Sequence, residues 1–162
     1  MAFAPTESFI VEQAIATNST TQNFPLGTII RAEDSTYGAG EFIYLKGVAS
    51  TAVGSIVEYD TSFQTGLATV AVNTPRPLAV AMSACVASEY GWYQISGESI
   101  MKKTATVSFA AEAKVGAGAG LAIAVVTGLI VEGALVAVVA SATAGGTSVR
   151  VMINRPTGPG EQ

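Results

Sequence analysis

After residue 26, hydrophobic and polar positions follow the two-residue alternation of β-strands. Val, Ile, Thr and aromatic residues gather in runs of roughly 4–8, separated by Gly, Pro, Asp or Ser. The pattern predicts strands over 28–32, 41–46, 55–59, 78–83, 91–96 and 104–109. It then predicts 121–126, 129–132, 135–140 and 148–154. Within 41–46, Phe42, Tyr44 and Lys46 fall on one face, and Glu41, Ile43 and Leu45 on the other. Trp92 and Gln94 oppose Tyr93 and Ile95 in the same way.

The two ends depart from this texture. Residues 17–23 are a polar run that can bury little, and the apolar residues around it, Phe9, Ile10 and Phe24, are isolated. Residues 1–25 read as an extended N-terminal arm with a short helical piece over 8–16, or as a disordered tail in the isolated chain. In an assembly such an arm orders against a neighbour. Residues 156–162 hold Pro156, Gly158, Pro159 and Gly160 and are expected to be loose, unable to continue a ladder. This leaves 26–155 as the folded body.

The body carries an internal repeat. Val53-Gly54-Ser55 returns as Val115-Gly116-Ala117, and Thr65-Gly66-Leu67 as Thr127-Gly128-Leu129, both 62 residues on. Val80-Ala81-Met82-Ser83-Ala84 matches Val138-Val139-Ala140-Ser141-Ala142 after 58 residues. Tyr90 to Ile95 then lines up with Gly145 to Val151 across a short gap. The order of the four landmarks is kept, which predicts two similar β units, roughly 53–97 and 115–155, packing their apolar faces together.

Composition narrows the function. Of 162 residues, 49% are hydrophobic and only 12% charged, about half the usual charged share. A surface so poor in charge suits a subunit covered by other chains. A net charge of −4 and eight scattered Lys and Arg, with Lys102-Lys103 the only adjacent pair, argue against a nucleic-acid partner. The N-terminus lacks the basic and apolar regions of a signal peptide. The apolar stretch 115–131 is bounded by Glu132 at 17 residues and punctuated by Gly116, Gly118, Gly120 and Gly128, so buried strands fit better than a membrane span.

Chemistry is sparse. Histidine is absent, which removes the commonest acid/base group and metal ligand. The single cysteine, Cys85, lies in an apolar run and reads as a small buried hydrophobe rather than a nucleophile. Ser99-Ile100-Met101-Lys102 has the Ser-x-x-Lys spacing, but that chemistry needs a helix, whereas this segment alternates like a strand. Residues 114–120 resemble a phosphate-cradling loop but lack Gly-Lys-Ser/Thr; by the repeat, Gly116 corresponds to Gly54, and these glycines read as turn formers. Glu33 with Asp34 and Glu58 with Asp60 are the close carboxylate pairs. Glu58 and Asp60 share a strand face and could contribute to a Ca²⁺ site, although solvated strand-end charges are the commoner case. Asn18-Ser19-Thr20 is a formal glycosylation sequon within the polar arm. Tyr90, Trp92 and Tyr93 could stack sugars or bases, or fill a core or subunit interface. The sum is a non-enzymatic chain with no cofactor and no metal.

Three stretches carry a family resemblance. They are residues 40–49 (Gly-Glu-Phe-Ile-Tyr-Leu-Lys-Gly-Val-Ala), 77–84 (Pro-Leu-Ala-Val-Ala-Met-Ser-Ala) leading into 90–97 (Tyr-Gly-Trp-Tyr-Gln-Ile-Ser-Gly), and 148–156 (Ser-Val-Arg-Val-Met-Ile-Asn-Arg-Pro). Together they resemble the capsid decoration, or cement, proteins of tailed phages. The resemblance implies a β-sandwich, jelly-roll-like, on the outer capsid surface, as a homodimer or homotrimer bridging major capsid protein subunits. It implies a virion location and no membrane. On this reading the partner-binding residues are Phe3, Phe9, Ile10 and Phe24 of the arm, with Trp92 of the body. The alternative is a carbohydrate-binding module of a phage tail or fibre, with Tyr90, Trp92 and Tyr93 as the sugar platform.

Overall fold

The computed structural model describes residues 4–5, 13–69, 75–125, 130–137 and 146–158. The described chain is all-β: antiparallel strands form a curled sheet, a sandwich-like half-barrel. In chain order the strands are β1 (Ala4–Pro5), β2 (Asn18–Ser19), β3 (Ile29–Asp34), β4 (Gly38–Lys46), β5 (Ile56–Tyr59) and β6 (Thr65–Leu67). There follow β7 (Leu78–Ala81), β8 (Tyr90–Lys102), β9 (Lys114–Gly118), β10 (Leu121–Ile123), β11 (Ile130–Val136) and β12 (Ser148–Thr157). The main path runs β1-β3-β4-β8-β12-β11-β9-β10.

The 13-residue β8 organises the molecule. Its first half pairs with β4, from Lys46 opposite Tyr90 to Glu41 opposite Ser96. Its second half pairs with β12, from Asn154 opposite Ser96 to Ser148 opposite Lys102. The hand-over falls at Gly97, whose φ is +99° and whose absent Cβ would lie 2.4 Å from the Ala39 carbonyl oxygen. Only glycine fits both the conformation and the approach.

Alternation places the cores. Phe42, Tyr44 and Trp92 face one side of β4–β8 and pack with Ile15, Ile30 and Met82. Ile43, Leu45, Tyr93 and Ile95 face the other and pack with Val57, Ala79, Ala81 and Cys85. β7 is buried on both faces, because Leu78 and Val80 enter a third, larger cluster with Ile56, Met101, Val115, Val131, Val136, Val149, Val151 and Ile153. A strand covered on both sides reads as a continuous apolar run, which is how Leu-Ala-Val-Ala stands in the sequence.

Several expectations change. The strand expected over 104–109 does not form; its place is taken by turns, while β8 runs on through Gly97 to Lys102. The segments 129–132 and 135–140 are not separate strands in what is described. β11 runs from Ile130 to Val136 through a bulge, with φ of +74° at Gly133 and +45° at Arg155 on β12 opposite. That bulge lets β12 continue through the buried Pro156 to Thr157, so the ladder does not stop at residue 155. The glycine-rich 114–118 is strand β9, and only Ala119 and Gly120 turn, both at positive φ as a two-residue hairpin requires. Residues 13–26 do not stand off as an arm. Gln13 and Ile15 are buried, Phe24 and Leu26 pack on the Trp92 cluster, and β2 pairs with β8. Of the helical piece expected over 8–16, residues 8–12 lie outside the described residues, and Ile15 and Ala16 form a turn.

The pairing pattern repeats. β5 pairs with β6 and β7, and β7 with β8; β9 pairs with β10 and β11, and β11 with β12. The residue landmarks follow these elements only in part: residues 90–95 lie on β8 and 148–151 on β12, but Gly54 lies in the turn before β5, whereas Gly116 lies inside β9 opposite Ile123. Residues 127–129 and 138–142 lie outside the described residues.

Candidate interaction surface

Trp92, Tyr93 and Phe24, aromatic residues singled out in the sequence, pack against their own chain. Trp92 is wholly buried, and its indole N–H donates to the Gln13 carbonyl at 3.2 Å. Phe24 meets Trp92 and Tyr44 at ring distances of 5.2 and 5.3 Å, and Tyr44 meets Trp92 at 4.9 Å. Two of the five nominated contact residues, Trp92 and Phe24, therefore pack on their own chain; Phe3, Phe9 and Ile10 lie outside the described residues. Tyr93 is also wholly buried, on the face opposite Trp92, so Tyr90, Trp92 and Tyr93 make no platform for a sugar. The alternation in the sequence already separated Trp92 from Tyr93 and allowed a core role for both; that residues 13–24 help to bury Trp92 was hidden, because that segment read as solvent-exposed.

The reactive groups have structural surroundings. The Cys85 thiol is buried, which pushes its pKa up and keeps it protonated. Gly47 and Gly91 leave the room it occupies: a Cβ at Gly47 would lie 2.7 Å from its sulfur, and one at Gly91 3.4 Å. Ser99 points into the core with no hydrogen-bond partner for its hydroxyl among the described residues, while Lys102 is exposed, since positions three apart on a strand face opposite ways. Lys103 is buried and donates to the Val107 carbonyl at 2.7 Å. Asp60 accepts from the amides of Ser62 and Gln64, and Glu58 pairs with Arg76 at 2.8 Å. Asp34 accepts from the amides of Thr36 and Tyr37. Among the described residues no three His, Cys, Asp or Glu gather to hold a metal ion, and no helix is long and apolar enough to cross a membrane.

The larger grooves among the described residues differ in character. One, of about 580 Å³, is polar: Glu41 holds both of its arginines, Arg31 at 3.2 Å and Arg155 at 2.9 Å, and Glu33 adds a further carboxylate to the lining. The other, of about 330 Å³, runs along β11 and β12 beside Leu135 and Met152, with Lys114 and Glu132 at its walls. Leu135 and Met152 are direct cross-strand partners and are 47% and 50% exposed. Their neighbours Val136 and Val151 fill the core on the opposite face. Sequence alternation marked this region as strand, but only the pairing shows that these two apolar side chains meet on the solvent side. Against family models, curated proteins and solved structures the chain has no match.

Proposed function

We propose that this chain is a structural, non-enzymatic virion protein that decorates the outer surface of a phage capsid and cements it by bridging major capsid protein subunits. The observation that carries the reading is where its family resemblance lies. The three stretches are far apart in sequence, yet they fall on β4, on β7 with β8, and on β12. These strands pair with one another through β8 and form one continuous block. Support also comes from the thinly charged surface and from the apolar pair Leu135 and Met152, which suit contact with protein rather than with phosphate or sugar.

The test is the number of copies in purified virions and the binding of purified chain to expanded and unexpanded capsids. A copy number near that of the major capsid protein, with preference for expanded capsids, is the expected result. A handful of copies per particle, or no binding to expanded capsids, overturns the proposal. A chain lacking residues 1–12 then asks whether the extreme N-terminus reaches a neighbour, with weaker capsid binding expected.

A further inference from the structure

The outer face of the C-terminal sheet carries a self-complementary row, with Lys114, Leu135 and Met152 exposed and the Glu98 side chain 14% exposed beside Arg150. Lys114 stands opposite Leu135, Leu135 opposite Met152, and Met152 opposite Glu98, across the adjacent strands β9, β11, β12 and β8. Directly paired residues point to the same side of a sheet, so the four side chains share the outer face. Read across the strands, the row is cation, apolar, apolar, anion.

We propose that this face is a contact between two copies of the chain, packed about a twofold axis parallel to the strands. A half-turn about that axis reverses the row. It sets Leu135 over the partner's Met152 and Lys114 over the partner's Glu98, and the reciprocal pairs follow by symmetry. The other in-plane axis, along the row, sets Lys114 on Lys114 and Glu98 on Glu98, which like charges oppose. The charge order thus selects one of two ways to stack the sheets. Glu98 already accepts the Arg150 guanidinium, so the incoming ammonium joins a network rather than a lone carboxylate. The groove beside Leu135 leaves space for the unbranched methionine of the second copy. Such an isologous contact closes on itself and stops at a dimer. The inference rests on the decoration reading only for its purpose.

Sedimentation across a concentration series tests it. The expected result is a reversible dimer whose dissociation constant rises at least about tenfold in Leu135→Glu and in Lys114→Glu, and also rises with salt. Chains carrying Leu135→Cys mixed with chains carrying Met152→Cys should cross-link between unlike residues in preference to like ones. A wild-type chain that stays monomeric throughout, or like-residue cross-links in the majority, overturns the proposal. Circular dichroism confirms folding; if Leu135→Glu unfolds, an unchanged dissociation constant in Lys114→Glu is by itself sufficient to overturn it. Capsid binding measured in parallel separates the two proposals. A dimer that ignores expanded capsids removes the decoration reading and leaves the contact standing. A monomer that binds them does the reverse.

Discussion

Gln13 joins the N-terminal segment to the body through both polar atoms of its side chain and its own carbonyl. Its side-chain N–H₂ donates to the carbonyls of Tyr90 at 2.8 Å and Thr17 at 3.0 Å. Its side-chain oxygen accepts from the Tyr44 hydroxyl at 2.7 Å and the Asn23 amide at 3.0 Å. Gln13→Ala leaves the buried Tyr44 O–H without its acceptor, although the hydroxyl oxygen still accepts from the Asn23 backbone N–H, and is expected to cost about 2–4 kcal/mol in urea unfolding. A second prediction at this scale concerns alkali. Burial pushes up the pKa of the Tyr93 and Tyr44 hydroxyls and of the Cys85 thiol. Above the ordinary thiol and phenol values the unfolded chain releases protons that the folded chain keeps, so unfolding free energy falls as pH rises. Stability from these groups is therefore full below about pH 8 and declines from about pH 9 upward. Tyr93 alone contributes a loss of roughly 1.4 kcal/mol per pH unit above about pH 10. Urea midpoints across pH 7–11 check the slope, and the part of the tyrosinate absorbance that is lost in Tyr93→Phe should rise together with unfolding rather than before it.

Among the elements, β8 is the one whose length matters most, and its continuity depends on Gly97. In the sequence Gly97 looks like a strand terminator, and the expected strand ends at residue 96; in the fold it lets one strand change partners without stopping. Gly97→Ala has to relieve both a left-handed backbone and a 2.4 Å approach to the Ala39 carbonyl. A loss of about 3 kcal/mol or more is expected, read as a lower urea midpoint. The same ambiguity explains what else the sequence left hidden. Alternation located β3, β4, β5, β7 and β12 to within a few residues, because each has one or two faces to bury. It could not tell a glycine that ends a strand from one that permits a bulge, as at Gly133, or one paired inside a strand, as at Gly116. Nor could it show that residues 13–24, polar in sequence, order against Trp92, since that depends on the Gln13 contacts with strands about 30 and 80 residues away.

The whole molecule sets a limit on how much of the N-terminus can be removed. Deleting 1–12 takes away only β1 from the described structure, whereas deleting 1–25 also removes Gln13, Ile15 and Phe24 from around Trp92. The shorter deletion is expected to melt near the intact chain, and the longer one at least several degrees lower, by differential scanning calorimetry. The largest core cluster has a further consequence, in the order of synthesis. It joins Ile56, Leu78, Val80 and Met101 to Val115, Val131, Val136, Val149, Val151 and Ile153. A nascent chain that has emerged only as far as β8 has made one wall of that core and has nothing to close it. The N-terminal half therefore cannot finish folding ahead of the C-terminal half, unlike a domain that matures as it leaves the ribosome. Ribosomes that stall or terminate before β12 will release chains with an open apolar face, destined for proteolysis or aggregation.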